Sequence, residues 1–214
     1  MKQLWKITFL IMAVALIFSP IQVVAQEGQT AQQQCLNQSA VQLKENMRKL
    51  WTDHAVWTRN YIVSAVAGMK DQKQVLARLL RNQQEIGNAI KPYYGDAAGN
   101  RLAELLKEHI LIAGQIVDAA KKGDQARLKK SNTEWYRNAD DITEFLSSAN
   151  PNWPKQKMKE LWHTHLQQVA DILTARLKKD WDGEIIAFDK GLDHLFVLAD
   201  TLSEGIMKQF PDKF

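Results

Sequence analysis

Cysteine, proline and glycine are scarce in this 214-residue chain, at one, five and ten residues. A single cysteine excludes an internal disulfide framework and a thiolate zinc cluster. So few prolines and glycines exclude a loop-rich scaffold and permit long uninterrupted helices. Strand-like alternation of apolar and polar residues is also missing. No Gly-rich phosphate loop, Gly-x-Ser-x-Gly elbow or His-Glu-x-x-His occurs, which removes the usual signatures of nucleotide, acyl-transfer and zinc-protease chemistry. Cys-x-x-Cys-His is absent, so any haem would be held without covalent attachment.

Hydrophobic residues make up 45% of the chain and charged ones 24%, the balance of an ordinary globular protein. Residues 1–25 carry a targeting pattern. Lys2 and Lys6 give a basic start, Ile7 to Phe18 an apolar run, Ser19-Pro20 a break, and Val23-Val24-Ala25 small residues for cleavage near Ala25. The apolar run is short for a membrane span, and no later segment approaches one. The expectation is a secreted or extracytoplasmic protein without an integral membrane segment after cleavage. The leader holds two lysines and no acid, so the remaining chain carries +2 against +4 for the whole. That balance, with lysine pairs 121–122, 129–130 and 178–179 placed at or near helix ends, gives no basis for nucleic-acid binding. Gln26 to Gln34 reads as a polar arm, so residues 26–35 precede a single helical domain over 36–214. Cys35 reads as a free thiol on the first ordered turn.

From Leu36 onwards apolar residues recur at helical spacing, predicting about six helices: 36–68, 71–91, 96–122, 124–149, 154–179 and 181–209. Pro92 and Tyr93-Tyr94-Gly95 close the second, Lys122-Gly123 the third, and Asn150-Pro151-Asn152 the fourth. Links of a few residues predict an all-α, antiparallel up-and-down bundle with a four-helix core.

Histidine placement is the most informative feature. His54 lies on the stripe Leu43, Met47, Leu50, Trp57, Tyr61. His109 lies on Leu102, Leu105, Ile112, Ile116, and His165 on Met158, Leu161, Val169, Ile172. His194 stands at the edge of the seam Ile185, Phe188, Leu192, Leu195, Leu202. Each lies near mid-helix, where rods of similar length meet in one layer. Neutral imidazole binds zinc, copper, iron and nickel, and bundles build metal and haem sites from inward side chains. His54, His109, His165 and His194 are therefore candidate ligands for a transition metal or haem. A lone histidine on an apolar face is ordinarily a satisfied core group, so a structural role stays open for each. Asp53, Glu108, Asp171, Asp189, Asp193 and Asp200 are candidate acceptors for imidazole N–H groups. A di-iron site is disfavoured: Glu160-Leu161-Trp162-His163 is the only Glu-x-x-His, and His163 points off the His165 face.

Asn82, Gln83 and Asn138 fall on inner faces, implying a hydrogen-bonded core network or a wet cavity. Trp51, Trp57, Trp135, Trp162 and Trp181 would pack between helices or line such a cavity. Asp180-Trp181-Asp182 matches the metal-holding Asp-x-Asp of sugar-nucleotide transferases, but without a preceding strand it reads as a helix junction.

Several stretches carry a resemblance: Leu50-Trp51-x-x-His54-x-x-Trp57-Thr58-Arg59, Ala89-Ile90-Lys91-Pro92-Tyr93-Tyr94-Gly95, Glu108-His109, Asn150-Pro151-Asn152-Trp153 and Gly205-Ile206-x-Lys208-Gln209-Phe210-Pro211. Over most of the chain this resembles a family of small exported, all-helical bacterial proteins. Its members carry labels such as glycosyltransferase or acetylglutamate kinase, for which these residues give no support. The resemblance implies export and helicity, and no catalytic residues. The expected function is ligand binding in the bundle interior, for storage, sensing or delivery. The alternatives are a non-catalytic protein-interaction module with structural histidines and, third, an enzyme using a histidine as acid or base.

Overall fold

The computed structural model describes the backbone from Ile21 and side chains from Gln38. The expected leader and cleavage site, the polar arm and Cys35 lie outside the residues described in full. Residues Leu36–Phe214 form one unit, distinct from Met1–Cys35. Among the described residues the elements are α1 (Ile21–Ala67), α2 (Gln72–Lys122), α3 (Gln125–Ala149), α4 (Lys155–Lys178), α5 (Trp181–Gln209) and a short 3-10 turn at Pro211–Lys213. No strand occurs among them.

Five helices replace the expected six because helical backbone continues through Pro92 up to Tyr94 and resumes at once after Gly95. Gly95 itself is non-helical at φ 81°, ψ 171°, a conformation essentially reserved for glycine. The chain folds back there: a Cβ on Gly87 would overlap the Gly99 carbonyl and Ala103. Two glycines thus let the halves of α2 touch backbone to backbone, and any side chain at either would force them apart. Elsewhere the expected punctuation operates. Gly123 (φ 70°) caps α2 in the left-handed region, and Asp124 Oδ1 accepts from Arg127 N–H at 3.0 Å to start α3. Asp180 Oδ1 accepts from Gly183 N–H at 2.9 Å, so the Asp-x-Asp sequence is a helix cap. Lys121-Lys122 and Lys178 end their helices as expected. Lys129-Lys130 do not: they sit in the N-terminal half of α3, away from the negative end of its dipole.

Side-chain contacts tie the connections into two clusters. At one, Lys121 Nζ donates to Ala65 O at 2.7 Å, and Ser64 Oγ donates to Asp71 Oδ1 at 2.6 Å. Arg59 and Arg176 there both bind Glu184. At the other, Asn150 Nδ2 donates to Tyr94 Oη (2.8 Å), which donates to Gln209 Oε1 (2.7 Å), while Gln209 Nε2 donates to Ala149 O (3.1 Å). Trp153 Nε1 donates to Thr201 O at 3.1 Å, its indole seated against Gly205, where a Cβ would overlap it. Between the clusters lies a core that includes Met47, Ile86, Leu106, Ile142, Met158, Leu166, Leu198 and Ile206, all fully buried.

One expected seam is displaced. Ile185 is 49% exposed, and its neighbour Glu184 is the buried residue of that turn, at 2%. The bidentate grip of Arg59 (2.6 and 3.2 Å) with Arg176 Nη1 at 3.4 Å compensates the carboxylate and turns Glu184 inward in its place.

Candidate functional site

Three of the four candidate histidines come together in the core. His54 on α1, His109 on the second half of α2 and His165 on α4 are 1%, 1% and 3% exposed. The His165 ring centroid lies 5.4 Å from that of His54 and 5.9 Å from that of His109. Indoles enclose them: Trp51 is 5.4 Å from His54, Trp135 is 5.2 Å and Trp162 5.7 Å from His109, and Trp51 meets Trp162 at 5.8 Å.

His194 is not part of this ring cluster. It is half-buried on α5, and its Nε2–H donates to Leu161 O at 2.8 Å. Because a carbonyl only accepts, that bond places the proton on Nε2. His163 faces away as expected, 2.8 Å from Asp140 Oδ1 and edge-on to Tyr136 at 4.9 Å. Trp57 is partly buried under Arg78, and Trp181 is half-exposed against Arg176.

Four of the six candidate carboxylates are engaged away from the imidazole cluster. Asp53 pairs with Lys49 and Arg78, Asp200 with Arg48 and Lys44, Glu108 with Arg137, and Asp171 accepts from Gln167. Amides fill that place instead. Asn138 Nδ2 donates to Leu105 O at 3.2 Å, which turns its Oδ1 to His109 Nδ1 at 3.0 Å. His109 must donate in that bond, so it is the Nδ1–H tautomer and its Nε2 carries the lone pair. That Nε2 is buried without a partner, as is His54 Nδ1. Gln83 Oε1, Thr58 Oγ1 and the Nε1 atoms of Trp51, Trp135 and Trp162 are also buried without a partner. The Gln83 amide lies beside the His54 ring and interacts with it, which leaves His109 Nε2, Thr58 Oγ1 and the indole N–H groups as the unmatched set.

Burial sets the charge state. Desolvation lowers His54 to about 4, partly offset by the Gln83 and Asn82 amides. His109 falls to about 3 through desolvation and the proximity of His54, against the pull of Asn138. Desolvation, with His54, His109 and His194 nearby, holds His165 well below the ordinary range. His194 is lowered by its partial burial. At neutral pH the three core imidazoles are uncharged and their lone pairs are not contested by protons.

Among the described residues no group of three or more His, Cys, Asp or Glu side chains is arranged to hold a metal ion. The imidazoles meet ring against ring, with planes 54° and 24° apart, and not nitrogen to nitrogen. Interior cavities are small. One of about 20 Å³ lies between His165, Thr58 and Gln168, and another of about 20 Å³ beside Thr58, Tyr61 and Trp135. Each accommodates about one water-sized sphere, so neither receives a porphyrin. Haem does not fit this interior. No described helix is long and apolar enough to cross a membrane.

No family model, curated protein or solved structure matches the chain.

Sequence reasoning missed two features, the Asn138–His109 pairing and the Arg59–Glu184–Arg176 network, while the edge position of His194 was visible in its seam. The amide on the inner face of α3 was visible in the sequence, but its partner depends on the rotation of α3 against α2. An arginine and a glutamate 125 positions apart give no local signal.

Proposed function

We propose that this is an exported, non-catalytic binding protein that holds one transition metal ion within its layer of neutral imidazoles. His54, His109 and His165 would be the ligands, and the five helices are read as an antiparallel up-and-down bundle that keeps the layer dry. The observation that carries the proposal is His109: an amide fixes its proton on Nδ1, and a bare Nε2 lone pair is left buried in ring contact with His165. Metal-binding histidines are characteristically oriented in this way by a hydrogen bond to the other ring nitrogen. Spacing supports it for the two pairs that His165 makes. Two imidazoles sharing an ion at N–metal distances near 2.0–2.1 Å place their centroids roughly 5 Å apart, against 5.4 and 5.9 Å here. Asn138 holds the His109 ring in place, so the rings of His54 and His165 would turn towards its Nε2. Depressed pKa values leave the site ready to ligate at neutral pH.

The test is elemental analysis of the untagged chain purified from an exporting host, alongside His54→Ala and His109→Ala variants. Near-stoichiometric zinc, copper, nickel or cobalt that both variants lose is the expected result. A metal-free chain that takes up none of these ions overturns the proposal, and leaves the histidines as structural members of an interaction module.

A further inference from the structure

Among the described residues a large concavity lies on the outer side of Trp135, whose indole also packs against His109. A groove of about 350 Å³ lies between the C-terminal part of α2, the first half of α3 and the C-terminal half of α4. Its floor is apolar, with Ile116, Trp135 and Leu173 all buried. Its rim is mixed, with Lys129, Asn132, Thr174 and the apolar Leu177 exposed. No carboxylate lines it. The size falls within the range of about 300–1,000 Å³ typical of small-molecule sites, and is far larger than the interior cavities of about 10 to 20 Å³.

Two further observations indicate what the groove receives. Ile116, Trp135, Ala170 and Leu173 are shared with the apolar cavity beside Tyr61, so the floor continues inward as a purely hydrocarbon surface. The one ionic group on the rim is the ammonium of Lys129, standing in the first half of α3, where the helix dipole is positive. Asp124, the nearby acid at the start of α3, is occupied in capping the Arg127 N–H. An apolar trough with a single cation at its lip complements a molecule with a hydrocarbon tail and one anionic head.

We propose that this groove binds a monomeric medium-chain carboxylate, its tail lying over Leu173 and Trp135 and its carboxylate on Lys129. The groove contains none of the imidazoles and touches their layer only through Trp135, so binding there needs no metal. Burying the tail against the apolar floor supplies the affinity. Lys129 supplies the discrimination between anionic and cationic heads.

The experiment is calorimetric titration of the full chain with sodium dodecanoate below its micelle concentration, with intrinsic tryptophan emission recorded in parallel. The expected result is saturable 1:1 binding with a change in emission. Thr174→Trp, an exposed rim substitution that fills the groove, should abolish binding. Lys129→Glu should weaken it at least tenfold, and dodecyltrimethylammonium should not bind the native chain. Absence of dodecanoate binding, unchanged binding by Thr174→Trp, or equal binding of the cationic amphiphile overturns the proposal. Association with phosphatidylglycerol vesicles but not with monomeric dodecanoate would also overturn it, and make this face a membrane contact.

Discussion

Acidification from about pH 7.5 to 5 should destabilise this protein far more than its surface charges would suggest. His54, His109 and His165 are neutral when folded, with pKa values of about 4, about 3 and well below the ordinary range. In the unfolded chain each returns to about 6.5. Below that value the unfolded state takes up protons that the folded state refuses, so stability is fully present above pH 6.5 and falls as pH drops towards the folded pKa values. At pH 5, about 1.5 units below the unfolded pKa, each histidine costs about 2 kcal/mol at about 1.36 kcal/mol per unit. Together they cost about 6 kcal/mol, comparable with the total stability of roughly 5–15 kcal/mol of a typical domain. Asp118, Asp140, Glu144 and Asp200 all have lowered pKa values and are still ionised in this window, so they do not account for such a loss. Urea unfolding monitored by far-UV circular dichroism, with a chelator present so that bound metal does not contribute, should show the free energy falling by about 2.5 kcal/mol per pH unit near the middle of the window, steepening towards about 4 near pH 5. His109→Gln, which removes one titrating group, should reduce that slope by about a third. A change below about 1 kcal/mol between pH 7.5 and 5 would refute the burial and neutrality of the cluster.

Two other outcomes follow from the packing. Gly205→Ala places a methyl group inside the volume of the buried Trp153 indole and should cost about 2 kcal/mol of overpacking, read as a lower urea midpoint with unchanged slope. Arg59→Met leaves the buried Glu184 with only the longer Arg176 contact and should cost about 3 kcal/mol, most of it recovered when Glu184→Leu is added; equal losses in the single and double variants would contradict the pairing.

Helix positions were legible because the punctuation is strong. Gly123, Asn150-Pro151 and the Asp180 cap each stop or start a helix by local chemistry that needs no tertiary partner. The break at Gly95 was equally legible; its continuity with helix on both sides was not, since glycine's φ of 81° reverses the chain in a single residue. The inward faces of His54, His109 and His165 followed from periodicity. Their mutual contact depended on comparable depth in the bundle, a condition His194 also meets; it stands aside because the rotation of α5 presents Gly191, Leu195 and Leu198 inward instead. The orphaned indole and imidazole nitrogens were beyond sequence, because whether a buried donor finds an acceptor is decided by tenths of an ångström in side-chain placement.

Cobalt titration is the most direct test of the imidazole layer. One equivalent of Co²⁺ added to the metal-free chain at neutral pH should give the intense d–d absorption of a low-coordinate nitrogen site and raise the melting temperature. Both effects should disappear in His165→Ala, and the absorption should fade on acidification. A spectrum that stays that of the aqueous ion, with no change in melting temperature for the native chain, would contradict metal binding by these three histidines.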